Sequence, residues 1–172
     1  MNKERRDYPI FNNGILMSDA EKIKIKLQEE KHLAPRTRGE IIKDLIDDRY
    51  VVKKDGEKIV GFARINKIAD EWEEIGSVFV DNDYRSRGLG TSLVKETMQK
   101  TSQQYLIGVA RGPMSEVIFQ RLGFFEIEIR ELPINVITGM IKDRVSSGKR
   151  LVHLLGTYSK DKSVWVTNYG NR

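Results

Sequence analysis

The sequence predicts a mixed α/β domain, and three of its features carry that expectation. Asp55-Gly56, a strong hairpin signal, joins two apolar runs at 50–53 and 58–65. A long segment, 88–104, places Leu89, Leu93, Val94 and Met98 on one helical face. Short apolar runs at 75–80 and 105–110 flank that helix and read as buried strands. The order is an antiparallel start followed by a strand–helix–strand unit.

The remaining elements are justified in turn. Ile10-Phe11 and Ile15-Leu16-Met17 flank the turn signal Asn12-Asn13-Gly14, which suits a short hairpin or a first strand. Ser18-Asp19-Ala20-Glu21 has the form of a capping box, although 22–27 alternates like a strand; helix is the favoured reading. Thr37-Arg38-Gly39-Glu40 is a second capping box after Pro35, with Ile41, Ile42, Leu45 and Ile46 at helical spacing. The polar stretch 67–73 reads as a loop. Pro113 and Gly123 bracket a helix with Val117, Ile118 and Leu122 inward. A strand is expected at 124–129. Beyond Pro133, Ile134, Ile137, Ile141 and Val145 mark another helix closing near Gly148, and strands follow at 151–155 and 164–167 around a polar turn at 160–162.

At 172 residues, without an internal repeat or low-complexity linker, the chain is expected to be a single domain over 1–172. Hydrophobic residues at 39% and charged residues at 32% describe a globular protein. The absence of cysteine excludes disulfides, thiolate metal sites and a cysteine nucleophile. His32 and His153 are isolated in sequence, and no metal is implied. No apolar run approaches the ~20 residues that span a bilayer, and no apolar signal core follows the charged residues 1–7. The expected place is the cytoplasm, with no membrane partner. A net charge of +5 suits an anionic ligand such as a nucleotide; the basic residues are too dispersed to suggest nucleic acid.

The densest chemical signal is the stretch from Val78 to Thr91. A strand ends, a polar turn follows, and Arg85-Ser86-Arg87-Gly88-Leu89-Gly90 opens the long helix. Amides at a helix N-terminus have no internal partners, and the dipole adds positive charge, so an anion is stabilised there. Glycines allow a phosphate close to the backbone, and Arg85 and Arg87 can add charge-assisted bonds. The turn lacks the Gly-x-Gly-x-x-Gly run of a dinucleotide fold and the Gly-Lys-Ser/Thr ending of a nucleotide-triphosphate loop.

With that turn the sequence resembles the GNAT acyltransferase superfamily, whose hallmark is Gln/Arg-x-x-Gly-x-Gly/Ala. The resemblance extends to Ile59-Val60-Gly61-Phe62 upstream and Arg121-Leu122-Gly123-Phe124 downstream. It covers roughly 18–133, leaving 134–172 as a helix and strand extension. It implies a mostly antiparallel sheet with a splayed central strand pair and helices on both faces. It also implies acetyl-CoA as acyl donor, its pantetheine on the backbone of Val78, Phe79 and Val80. Its pyrophosphate would lie on the amides of Arg85, Ser86, Arg87, Gly88, Leu89, Gly90 and Thr91. Gly76, inside the strand, suits the bulge that the splay needs.

For catalysis the resemblance implies a carboxylate on the strand before the turn. Glu74 is the candidate base, with Glu73 and Glu71 as neighbours. The family's usual acid is a tyrosine at the position held here by Phe119, which has no proton to give. Either the thiolate leaves unassisted or through water, or another group such as Ser115 serves. Pro35-Arg36-Thr37-Arg38, Glu131-Leu132-Pro133 and Phe119 itself resemble the acetyltransferase module of N-acetylglutamate synthases. Arg36, Arg38 and Arg111 are then candidates to grip an acceptor carboxylate, which a guanidinium can hold through paired bonds. The expected function is N-acetyl transfer to a primary amine of a small molecule. The alternatives are acetylation of a protein N-terminus or lysine, and acyl-CoA binding without catalysis. Edge strands in the tail can pair with a second copy, so a homodimer is an open expectation.

Overall fold

Across residues 18–29 two sequence signals compete, and burial decides between them. Ala20, Ile23 and Leu27 share one side of a helix and are buried, while Ile25 stays 43% exposed. Helix α1 runs Asn13–Glu29. Asn13-Gly14 therefore belongs to a helix rather than a hairpin, and Ser18 lies within that helix, not at its cap. The computed structural model describes residues 13–30, 33–145 and 162–170. The possible strand at 10–11, the helix closure near Gly148 and the strand at 151–155 lie outside them.

Helix α2, Arg38–Ile46, has the expected capping box, with the Glu40 amide on Thr37 Oγ1 at 3.3 Å and the Thr37 amide on Glu40 Oε2 at 2.8 Å. Strands β1 (Tyr50–Asp55) and β2 (Lys58–Ala69) form the hairpin. The expected loop at 67–73 is instead a second hairpin, because β3 spans Trp72–Val80. Ile68, Ala69 and Trp72 have an apolar cluster to pack against, which holds both strands to their ends. A short 3₁₀ turn, Asn82–Tyr84, leads to α3, Leu89–Met98. That helix stops short of Gln104 because no apolar residue follows Met98 to continue its buried face. Next come β4 (Tyr105–Arg111), α4 (Pro113–Arg121), β5 (Phe125–Ile127), a 3₁₀ turn at Ile129–Glu131, α5 (Ile134–Val145) and β6 (Lys162–Asn168). In α4 Phe119 is the buried residue and Val117 is 40% exposed, so the inward face is rotated from the expected one.

The sheet order is β1-β2-β3-β4-β6-β5. Among the described strands only β3 and β4 run parallel; the other pairs are antiparallel. Helices α3 and α4 cover one face through Leu93, Val94, Met98 and Phe119. The other face carries α1 and α2 over Tyr50, Phe62 and Phe79, and α5 over Ile107, Val164 and Val166. Gly139 sets the docking of α5, since a Cβ there would stand 1.9 Å from the Ile68 carbonyl oxygen. No described helix is long and apolar enough to cross a membrane.

Candidate active site

A bulge in β3 opens the sheet. The β2–β3 register shifts between Phe62↔Phe79 and Arg64↔Gly76, and Ser77 has φ 52. The left-handed residue is thus Ser77, beside Gly76 rather than at it. Such a conformation costs a non-glycine roughly 1–2 kcal/mol, and a bulge bends its strand and ends local pairing. Accordingly the β3–β4 ladder runs only from Trp72↔Tyr105 to Ile75↔Gly108. Beyond it β4 pairs on its far side with β6, while β3 continues to Val80. Between the parted strands lies a cavity of about 630 Å³, lined by Gly76 to Val80 on one side and Val109 and Arg111 on the other.

At one end of this cavity the turn 81–91 curls its backbone. Lys58 Nζ braces it through Asp81 at 3.1 Å, and Asp81 in turn accepts from the Asp83 amide. Ser86 at φ 61 and Gly88 at φ 79 are left-handed, the alternation that gathers successive amides into an anion-binding concavity. Gly88 is the N-cap of α3 and offers no side chain to it. The first helical bond is Ser92 N–H to Gly88 O, which leaves the amides of Leu89, Gly90 and Thr91 preceding it. Ser86, Gly88, Leu89, Gly90 and Thr91 line the cavity. The two arginines act differently from expectation. Arg85 lines the cavity, but its Nε donates to the Val80 carbonyl at 3.0 Å and its other end reaches Glu30 at 3.4 Å. Arg87 is not among the lining residues and lies over the Tyr84 ring at 5.7 Å. The open strand edge and uncapped amides fit a phosphorylated, strand-like ligand such as CoA, and backbone supplies most of the fit.

Phe119 packs the tip of its ring against Gly108: a Cβ at 108 would stand 2.3 Å from its Cζ. Its ring also meets Phe124 at 5.0 Å, so it is core and cavity wall together. Ser115 lines the cavity too, with its hydroxyl engaged on both sides. It accepts from the Arg111 amide at 2.8 Å and donates to the Gly112 carbonyl at 2.8 Å.

The other end of the cavity is charged. Phe62, Arg64 and Asn66 share one face of β2 by strand periodicity, so an apolar face becomes polar along its length. Asn66 is directly opposite Glu74 on β3, which is mid-strand rather than at a strand start and is 7% exposed. Arg36, from the α1–α2 connection, is also 7% exposed. Its terminal nitrogen bonds both oxygens of Asp143 on α5, at 2.8 and 3.0 Å. Arg64 donates to Asp44 on α2 at 2.7 Å and to Asn66 at 3.1 Å. Asp44 is placed by α2, where Ile41 and Asp44 share the buried face. Asp143 follows Val136 and Met140 on the buried face of α5. Beside it Arg144 donates to the Met140 carbonyl at 2.9 Å and is hydrogen-bonded to Glu74 Oε1.

These charges shift one another. Burial works against the Asp143 carboxylate, but Arg36 and Arg64 outweigh it and hold its pKa below the ordinary range. Burial likewise opposes the Arg36 cation, and Asp143 and the other neighbours lift it above its usual value. Arg111 is lowered by burial and by Arg144, with Glu74 opposing. Tyr50, packed on this cluster, is pushed up to about 12 by burial, against the pull of Arg64 and Arg36. Arg36 Nε and the Tyr50 hydroxyl are buried without a hydrogen-bond partner among the described residues.

Of the expected acceptor residues, the structure brings Arg36 and Arg111 to the cavity beside Glu74. Arg38 is not among them: it is exposed in the first turn of α2, where Thr37 is the cap. Sequence reasoning missed Arg64, Asn66, Asp44, Asp143 and Arg144. Polar residues at alternate positions in an apolar strand were a usable signal for the first two; nothing local marks the others.

Comparison with known proteins shows the family and the fold. The acetyltransferase (GNAT) family model matches residues 18–124. Among curated protein sequences there is no significant match. The fold is similar to that of Rv2747 from Mycobacterium tuberculosis, solved in complex with CoA and NLQ. The TM-score is 0.69 at 20% identity, over 88% of this chain and 95% of that one. It is similar to N-acetylglutamate synthase from Neisseria gonorrhoeae, complexed with coenzyme A and N-acetyl-glutamate. There the TM-score is 0.63 at 17% identity, over 88% of this chain and only 32% of that longer one. Diaminobutyrate acetyltransferase from Paenibacillus lautus, in complex with L-2,4-diaminobutyric acid and coenzyme A, gives 0.59 at 12% identity over 88% and 90%.

Proposed function

The chain belongs to the GNAT family of acetyltransferases, and from that premise we propose that it acetylates the primary amine of a small acceptor that also carries a carboxylate. One observation carries the reading. Glu74 lies just below the point where β3 and β4 part, and it shares its end of the cavity with Arg36, Arg64, Arg111 and Arg144, whereas Arg85 stands at the other end. The open edge from Gly76 to Val80 suits the pantetheine of acetyl-CoA as an added strand, and the amides of Leu89, Gly90 and Thr91 suit its pyrophosphate. The thioester then faces Glu74. Amino-acid ligands in two of the structural neighbours agree with this choice of acceptor.

In this reading Glu74 accepts a proton from the acceptor ammonium, directly or through water. The freed nitrogen bonds to the thioester carbonyl carbon, and the carbon–sulfur bond breaks with its electron pair on sulfur. Of the two protons that the ammonium loses, one ends on the thiol and the other in solvent. Ser115 fixes the turn from β4 into α4 while its hydroxyl is held by Gly112, so the thiolate takes its proton from water. Arg36, whose Nε has no partner among the described residues, supplies the carboxylate site together with Arg111 and Arg144. The test is thiol release from acetyl-CoA against a panel of amino acids, polyamines and peptides. Amino acids are expected to turn over fastest; a clear preference for peptides or polyamines overturns the acceptor assignment.

A further inference from the structure

The base of this reaction is held by an arginine that nothing in the family comparison assigns. Glu74 Oε1 accepts from Arg144, and both side chains are buried, at 9% and 14% exposure. Both also line the cavity. The Oε1 lone pair that accepts from Arg144 is not available to an incoming ammonium, and the ion pair fixes the orientation in which the carboxylate presents its other oxygen. Separating a buried ion pair by removing one partner leaves an uncompensated charge, which is strongly unfavourable. Replacing both partners at once avoids that penalty.

We propose that Arg144 locks Glu74 in the absence of acceptor, and that the acceptor's own carboxylate releases it by taking over the guanidinium. The inference rests on the acceptor reading above and deepens it. A zwitterion exchanges one ion pair for two: its carboxylate meets Arg144, and its ammonium meets Glu74, now positioned to take the proton. Charge in the site is conserved through the exchange. Arg144 is therefore a positioning residue, acting through Glu74. The Met140 carbonyl tethers its other terminal nitrogen, so the guanidinium pivots rather than leaves.

The geometry also limits the acceptor. Glu74 and Arg144 are in direct contact, so ammonium and carboxylate that replace that contact must lie close together. An α- or β-amino acid satisfies this, and a long ω-amino acid does not. A carboxylate-free amine meets a locked base, so its defect falls on kcat and not only on KM.

The experiment measures kcat and KM for matched acceptors: L-amino acids, their decarboxylated amines, β-alanine and 5-aminovalerate. The parent protein is compared with Arg144→Met. In the parent, an α-amino acid is expected to exceed its decarboxylated partner in turnover by on the order of 10²-fold or more, as for other sites built around a buried polar group. In Arg144→Met that ratio is expected to collapse, with the carboxylate-free amine turning over about tenfold faster than in the parent, roughly the effect of 1.4 kcal/mol. A structural role alone cannot speed one substrate while slowing another. Independently of the variant's folding, added acetate is expected to raise the parent's turnover of the carboxylate-free amine saturably. Equal losses for both substrates in a folded Arg144→Met protein, or no response to acetate, overturn the lock while leaving the acceptor reading standing. If the parent acetylates no carboxylate-bearing amine, the acceptor reading itself is wrong and the lock goes with it.

Discussion

The two ends of the cavity are built on different principles. The end proposed for phosphate is made of backbone: a bulged strand, a left-handed turn and the first amides of α3, contiguous within residues 76–91. The end proposed for the acceptor is made of side chains from α2, β2, β3, β4, α5 and the α1–α2 connection, with Arg36 and Asp143 107 positions apart in sequence. Backbone recognition tolerates most side-chain changes and is broken by shape or charge. Side-chain recognition is broken by single substitutions and depends on how the helices dock. Substitutions at the two ends should therefore separate binding of the donor from turnover of the acceptor.

The largest separation is expected from Glu74→Gln. Loss of a general base typically costs ~10²–10⁴ in rate. Turnover should fall by that order while CoA affinity, measured by calorimetry, stays within a few-fold of the parent. Unchanged turnover across pH 6–9 would remove Glu74 from the mechanism.

Gly90→Glu attacks the opposite end. Its Cβ would meet the end of Ile118 at 3.2 Å, which can yield, and Val80 Cγ2 at an ordinary 3.7 Å, so the main effect is a carboxylate placed at the amides proposed to receive phosphate. CoA affinity should fall roughly 30-fold or more, about 2 kcal/mol, with the fold intact by circular dichroism. Normal affinity in that variant would dissociate the turn from CoA.

This division also explains what the sequence discloses. The turn from Arg85 to Gly90 is readable because its chemistry is local: residue spacing alone places glycines and free amides at a helix start. Even there, the folding of Arg85 back on Val80 and Glu30, and the left-handed conformation at Ser77 rather than Gly76, depend on contacts that residue spacing does not encode. Glu74 is findable as a carboxylate on the right strand, yet its partner Arg144 lies 70 positions away on a helix with no local motif. Arg38 fails as a candidate for a related reason. Arginines at 36 and 38 look alike in sequence, but the second is exposed in the first turn of α2 and does not line the cavity. The fold is legible wherever periodicity and capping agree, as in α2 and the β1–β2 hairpin. It is misread where a short polar stretch such as 67–73 is held in strand by distant apolar contacts.

Gly139→Ala tests whether the ends are mechanically separable. The added methyl would collide with the Ile68 carbonyl, so α5 must shift, and overpacking of this kind costs about 1–3 kcal/mol. Because α5 carries Asp143 and Arg144 and nothing of the phosphate turn, acetyl transfer should fall with the melting temperature while CoA affinity holds. A matching loss of CoA affinity would mean that the two ends move together.

The electrostatics of the acceptor end give a pH signature. The folded-state pKa of Asp143 is depressed, so its contribution to stability is present above the unfolded carboxyl value and lost as pH falls through the lower folded one. Urea titrations of Asp143→Asn and parent should differ at pH 7, and the difference should begin to shrink only as pH falls below about 4, the ordinary aspartate range. A difference that does not shrink at all as pH is lowered further would assign the effect to packing instead of charge.

The smallest effect is expected from Tyr50→Phe. The hydroxyl is buried beside Arg36 and Arg64 and has no hydrogen-bond partner among the described residues, while the ring packs on Phe62 at 6.0 Å. Removing an unsatisfied polar atom and keeping the ring relieves a desolvation penalty, so stability at pH 7 should hold or rise by up to ~1 kcal/mol. The sign reverses the usual expectation for a buried tyrosine in a charged cluster. The pKa near 12 supplies a second check. The folded state holds its phenolic proton more tightly than the unfolded chain, so parent stability should fall as pH rises from about 10 towards 12, and the phenylalanine variant should lack that component. Marked destabilisation at pH 7 would show instead that the hydroxyl bridges Arg36 Nε, its fellow unpartnered atom, through water. The acceptor end would then extend one layer deeper into the sheet than the cavity lining alone describes.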